Sequence, residues 1–151
     1  MHQIVQTRPE HVEALLPFIR QADVEELWAL DHKTPEAGLI QSVMSSTESW
    51  TGIVDGQVIC IFGVAPVSML CGEGMPWMVG STLIEKYARI FLKHDKSIVD
   101  KWLEMFPHLF NYVDERNIKA KVWLKRLGFT IHKAVPKGKE QLPFHYFERT
   151  R

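Results

Sequence analysis

Apolar and polar positions along this chain fall into a series of short periodic stretches. Ile4 and Val5 predict a short first strand. Thr7-Arg8-Pro9-Glu10 has the spacing of a capping box with proline inside the first helical turn. Val12, Leu15, Leu16 and Ile19 follow at helical intervals, and Leu27, Trp28 and Leu30 extend the helical region. Thr34-Pro35 marks another helix start, with Leu39, Ile40, Val43 and Met44 turned inward. Trp50 to Val54 reads as a strand, and Asp55-Gly56 is the strongest hairpin signal in the chain. The return strand, Val58 to Val64, is almost continuously apolar and suits the middle of a sheet. Pro66 to Gly74 reads as a loop, and Pro76-Trp77-Met78-Val79 as a further short strand.

The second half is helix-rich. Thr82-Leu83-Ile84-Glu85 matches a capping box and opens the longest helix. Ile84, Tyr87, Phe91, Ile98, Trp102 and Phe106 form its stripe, with a gap at His94 and Asp95, and Pro107 ends it. Leu109 to Val113 reads as a strand. In the run from Asn117 to Phe129, Asn117 is a helix cap, and Ile118, Val122 and Trp123 share a helical face. Lys125 and Arg126 suit the helix C-terminus, and Gly128 is the stop. Phe129, Ile131 and Ala134 begin a strand, Pro136 to Gln141 is a polar loop, and Phe144 to Phe147 is a last strand. The order β, α, α, β, β, β, α, β, α, β, β predicts an α/β fold of mixed α+β type. It is a single domain over residues 1–151, with helices on both faces of a sheet of about six or seven strands. Strands 76–79 and 109–113 are expected to be neighbours that splay apart.

Composition narrows the function classes. The 151 residues can bury a proper core, and 46% apolar with 24% charged content is ordinary for a globular protein. Eighteen basic residues balance eighteen acidic ones, so no net field favours direct nucleic-acid binding. No apolar stretch is long enough for a membrane span, and the first residues do not read as a signal peptide. Cys60 and Cys71 have no metal-ligand spacing, and no metal site is expected. Cys60 reads as a buried thiol and Cys71 as an exposed turn residue in a reducing compartment.

The run Asn117-x-x-Ala120 followed by a helix closing on Leu127-Gly128-Phe129 resembles the last motif of the GNAT acyltransferase superfamily. The element order resembles that fold along nearly the whole chain. The resemblance implies acetyl-CoA bound in the splay between the fourth and fifth strands, with its pyrophosphate on the turn before the long helix. By position, the cofactor contacts would be Met78, Val79, Gly80, Ser81 and Thr82, with Asn117 near the pantetheine arm.

The turn departs from the family pattern. It has one glycine, no preceding basic residue, and Glu85 in the first helical turn, where a carboxylate competes with phosphate for N–H groups. Acetyl-CoA binding is therefore expected to be weak or absent. The family's tyrosine general acid would fall at Leu124, which has no proton to donate. Glu73, His145 and Tyr112 are the remaining catalytic candidates: a loop carboxylate, a strand histidine and a strand tyrosine.

Spaced phrases also resemble a narrower group. They include Trp50-Thr51-Gly52-Ile53-Val54-Asp55-Gly56, Phe62-Gly63-Val64-Ala65-Pro66, Pro76-Trp77-Met78-Val79-Gly80 and Leu142-Pro143-Phe144-His145-Tyr146-Phe147-Glu148. Together they resemble the internal virion, or head-morphogenesis, protein of short-tailed coliphages and their prophage relatives. That resemblance implies a phage-derived assembly protein whose partners are other virion or host proteins, found in the virion or in the cytoplasm of the host bacterium. It implies an exposed apolar contact loop between Pro66 and Pro76. The alternative is an active acetyl-CoA-dependent N-acetyltransferase acting on an amine or protein.

Overall fold

The computed structural model describes residues 1–151. Seven strands form one mixed sheet in the order β1-β2-β3-β4-β5-β7-β6. They are β1 (His2–Gln6), β2 (Glu48–Val54), β3 (Gln57–Ser68), β4 (Glu73–Gly80), β5 (His108–Asp114), β6 (Thr130–Lys137) and β7 (Leu142–Thr150). The helices are α1 (Pro9–Leu15), α2 (Gln21–Asp31), α3 (Pro35–Ser45), α4 (Ile84–Met105) and α5 (Ile118–Arg126), with a single 3-10 turn over Leu16–Phe18. β1 to β4 run as an antiparallel meander, β4 and β5 are parallel, and β7 returns between β5 and β6. Asp55 and Gly56 both take positive φ, as the tight β2–β3 hairpin requires.

Both faces are covered. α4 and α5 bury Phe91, Val99, Trp102 and Leu127 against Phe62, Leu109, Val113 and Phe147. α1 and α3 bury Val12, Leu15 and Leu39 against Ile61 and Val79 on the opposite face. No helix is long and apolar enough to cross a membrane.

Several local expectations are corrected. The first helical region is broken at Ile19-Arg20, so α1 and α2 are separate. Arg8, not Thr7, caps α1, its N–H donating to His11 Nδ1 at 3.0 Å, while the Thr7 hydroxyl meets that of Thr51. Thr82 does not cap α4. That helix starts at Ile84, and the Ser81 hydroxyl accepts the Leu83 N–H instead. Asp95 lies inside the buried stripe of α4, where the sequence shows a gap. β3 and β4 are longer than expected because the supposed loop zips up from Pro66/Gly74 to Ser68/Glu73, leaving only Met69 to Gly72 as the connection. β6 likewise runs through Pro136 to Lys137. On α5, Ile118 and Val122 face outward, Ile118 being 65% exposed. Its inward face is Ala120, Trp123, Leu124 and Leu127, the i, i+3, i+4, i+7 set. Asn117 caps this helix, as the sequence predicts.

Candidate functional site

The site begins with a strand pair that fails to stay paired. β4 and β5 are in parallel register only at Glu73/His108 and Gly74/Leu109. The next residue of β4 due to donate to β5 is Pro76, which has no N–H. Its carbonyl does face β5, because it accepts Asn111 Nδ2 at 2.9 Å. The Asn111 Oδ1 accepts the Tyr112 N–H at 2.8 Å. One side-chain amide thus stands where a direct Tyr112-to-Pro76 backbone bond would continue the ladder. Asn111 is a wedge, and beyond it the strands diverge.

Alternate residues of a strand bond the same neighbour, so Pro76, Met78 and Gly80 all turn their backbone groups toward the gap. Gly80 is satisfied by the start of α2: its N–H donates to Asp23 Oδ2 and its carbonyl accepts the Arg20 N–H, each at 2.9 Å. On the β5 side, the Asp114 N–H donates to Glu26 Oε1 at 2.9 Å. The peptide of Met78 faces the gap after the ladder has ended.

A polar group from α2 closes the end of the splay. Arg20 Nη2 donates to Asn117 Oδ1 at 2.9 Å, and Asn117 Nδ2 donates to Glu26 Oε1 at 3.1 Å. Asn117 Oδ1 also accepts the Ala120 N–H at 3.4 Å, so the helix cap and the network share one oxygen. Burial raises the carboxyl of Asp23, opposed by the Arg20 charge beside it. Burial also pushes Glu26 up to about 7, against the two N–H donors that favour its charged form. A carboxyl poised near neutrality can take and release a proton at physiological pH.

A cavity of about 290 Å³ crosses the sheet at this splay. Toward α2 it is bordered by Arg20, Asp23, Glu26, Leu30, Trp77 and Tyr112. Toward α4 and α5 it is apolar, with Met78, Ile98, Trp102, Ala120, Trp123 and Leu124. One polar atom interrupts the apolar side. Asp95 is 4% exposed, its Oδ1 has no hydrogen-bond partner, and burial pushes its carboxyl up to about 7.

The predicted contacts are only partly assembled here. Met78, Val79 and Asn117 border the cavity. The turn Gly80-Ser81-Thr82 does not offer free donors. The Ser81 N–H goes to the Ile59 carbonyl, that of Thr82 to the Phe18 carbonyl, and that of Ile84 back to the Ser81 carbonyl. Glu85 pairs with Lys119 on α5. Of the three catalytic candidates, Tyr112 borders the cavity. Glu73 lies on β4, paired with His108 at 3.3 Å, and His108 in turn meets Glu148 at 2.9 Å. His145 Nδ1 meets the His132 carbonyl at 2.7 Å, between β7 and β6 and away from the cavity lining. Arg20, Asp23, Glu26, Asn111 and Asp95 escaped the sequence reading. Only Asp95, an acidic residue within an apolar helical stripe, left a signal there.

No protein-family model matches the chain, and no curated protein sequence matches it. Solved structures do. A GCN5-related N-acetyltransferase from Kribbella flavida superposes with a TM-score of 0.72 at 18% identity, over 99% of this chain and 98% of that one. The ribosomal-protein-alanine N-acetyltransferase of Brucella melitensis gives 0.74 at 13% identity, over 99% of each chain. The spermidine N-acetyltransferase of Vibrio cholerae, solved with CoA and spermine, gives 0.70 at 9% identity, over 99% of this chain and 95% of that one. The fold is that of the GNAT acetyltransferases. Nothing in these likenesses connects the chain to phage virion or head-morphogenesis proteins.

Proposed function

We propose that the protein is an acyl-CoA-dependent N-acyltransferase whose transfer site is the cavity through the β4/β5 splay. The observation that carries this reading is the gap through the sheet, with an unpartnered carboxyl oxygen on one residue of its lining. Met78 and Asp95, whose Oδ1 has no hydrogen-bond partner, both border the cavity, which is polar toward α2 and apolar toward α4 and α5. A pantetheine arm is a thin, mostly apolar chain with two amides and a hydroxyl. The Met78 peptide suits one amide, and Asp95 Oδ1 can accept from an N–H or O–H. Acetyl-CoA supplies the activated thioester, and the amine acceptor enters from the α2 side. There Glu26 takes the ammonium proton and leaves a neutral nucleophile. Leu124 borders the apolar side without a proton to give, so the leaving thiolate is protonated by water or by the acceptor's own N–H.

The committed donors of the Gly80 turn shape this reading. With no free N–H cradle, the diphosphate contributes little, and affinity rests on the pantetheine arm. The test is acetyl transfer from acetyl-CoA to a panel of primary amines, comparing the native chain with Glu26→Gln. Transfer that drops about a hundredfold or more in the variant supports the reading. Absence of transfer to every amine and peptide tried would count against it.

One observation favours a second reading, binding to another protein. At the β3–β4 connection Leu70 is 98% and Met69 is 73% exposed, with Val67 beside them. Replacing Met69 and Leu70 with serine would abolish capture of a protein partner if this surface serves that role, and would leave acetyl transfer unchanged.

A further inference from the structure

Glu26 meets its neighbours through one oxygen only. The Asp114 N–H donates to Oε1 at 2.9 Å, and Asn117 Nδ2 donates to the same atom at 3.1 Å. Oε2 takes part in no hydrogen bond or ion pair, yet it is not sealed, because the buried side-chain polar atoms without a partner are Asp95 Oδ1 and His145 Nε2. Glu26 itself borders the cavity. The carboxyl therefore has one tethered oxygen and one open oxygen.

The tether has a single orientation. Asn117 is 3% exposed, and its Oδ1 faces two donors, Arg20 Nη2 at 2.9 Å and the Ala120 N–H at 3.4 Å. Neither has a lone pair to offer, so the amide oxygen stays on that side and the NH2 faces Glu26. Arg20 is held in turn, its Nη1 3.9 Å from Asp23 Oδ1 and its backbone N–H on the Gly80 carbonyl. The charges around Glu26 act in both directions. Burial pushes its carboxyl up to about 7, the Asp114 N–H and Asn117 draw it down, and the carboxylates of Asp23 on α2 and Asp114 on β5 push it up. Asp23 also lies against the Asn117 amide, and Arg116, beyond β5, pairs with Asp114 at 2.7 Å.

We infer that Asn117 is a positioning residue for the transfer step: it ties down Oε1 of Glu26 so that Oε2 is the atom that takes the acceptor's proton. This rests on the acyltransferase reading above. The acceptor ammonium gives one N–H proton to Oε2 and keeps the electron pair, which becomes the nucleophile. Protonation at Oε2 leaves both bonds to Oε1 in place, so the carboxyl does not reorganise during transfer. Oε2 then returns the proton to solvent. Asn117 acts through Glu26, by holding its orientation and favouring its charged form.

The test is the pH profile of kcat/KM for acetyl transfer from acetyl-CoA to one fixed primary amine, in the native chain, Asn117→Ser and Asn117→Asp, with CoA affinity measured alongside by calorimetry. Both substitutions keep a residue that caps α5. Serine removes the donor to Glu26, and aspartate sets a like charge against it. Expected is an acidic limb moved up by about one unit in Asn117→Ser and further in Asn117→Asp, with kcat/KM of the serine variant down about tenfold near pH 6 and the native plateau regained at higher pH. CoA affinity should stay at the native value in both. A limb that stays where the native one lies would overturn the inference, whether activity is kept or falls evenly at every pH. Weaker CoA binding with an unmoved limb would make Asn117 a cofactor contact instead. Transfer by Glu26→Gln as fast as by the native chain would overturn the inference and leave acyl transfer itself standing. No transfer by the native chain would remove the acyltransferase reading and this inference with it.

Discussion

Asp95→Asn should change stability in a way that depends on pH. Asp95 is buried on α4 with one oxygen unpartnered, and burial lifts its carboxyl from 3.8 to about 7. The folded state therefore holds this proton more tightly than the unfolded chain does. The associated stability is full below about pH 4 and is lost as pH rises to about 7. A shift of roughly three units at about 1.36 kcal/mol each gives a loss of about 4 kcal/mol. Asparagine does not titrate, so the variant avoids that loss. Its unpaired amide carries the cost of about 1–3 kcal/mol that the unpaired neutral carboxyl already carries, so that cost cancels. The variant should thus match the native protein near pH 4 and be the more stable near pH 8, the difference growing with pH between. Glu26 is present in both proteins and cancels. Urea unfolding of each at a series of pH values gives the difference directly. A difference that stays constant from about pH 4 to pH 8 would refute the reasoning, because it would mean that Asp95 ionises without penalty.

Three further outcomes follow from the same geometry. Asn117→Ala should cost about 2 kcal/mol, the upper end for a lost N-cap, because Arg20 and Glu26 lose a partner as well; a melting temperature equal to the native one would contradict this. Asn111→Leu leaves the Pro76 carbonyl and the Tyr112 N–H without their present partner. It should cost about 1–3 kcal/mol by urea unfolding and weaken CoA binding at the splay, while Asn111→Gln should weaken both less. Pantetheine should bind within about tenfold of CoA, since the Gly80 turn has its donors engaged; a ratio of a thousandfold would show that the turn rearranges to hold the diphosphate.

The fold was legible where local signals and period agreed. Asp55-Gly56, the Thr34 cap, the Asn117 cap and the stops at Pro107 and Gly128 all act through neighbouring backbone, so a single stretch of sequence suffices. The direction of α5 was misread because Ile118 and Val122 are apolar yet exposed. The facing is set by the cavity side, which includes small Ala120. The Thr82 cap failed because tertiary bonds to Phe18 and Ile59 fix that turn first. The site was least legible because it is assembled over long distances. Glu26 meets Asn117 across 91 residues and Asp114 across 88, and nothing near Glu26 in the sequence marks it as different from Glu25. Pro76 was visible as a strand residue, but its consequence depends on which edge lacks the N–H, which only the pairing with β3 and Asn111 reveals.

The central claim is that the splay between β4 and β5 receives the pantetheine arm of an acyl-CoA. Calorimetric titration of the full chain with acetyl-CoA, alongside Ala120→Phe, tests it most directly. Ala120 borders the cavity on α5, and a phenyl ring there would take up part of it. Expected are one-to-one binding to the native chain, a rise in melting temperature with ligand as selective binding to the folded state requires, and loss of both in the variant. No heat and no thermal shift for the native chain at saturating acetyl-CoA, or an isotherm unchanged by Ala120→Phe, would contradict it.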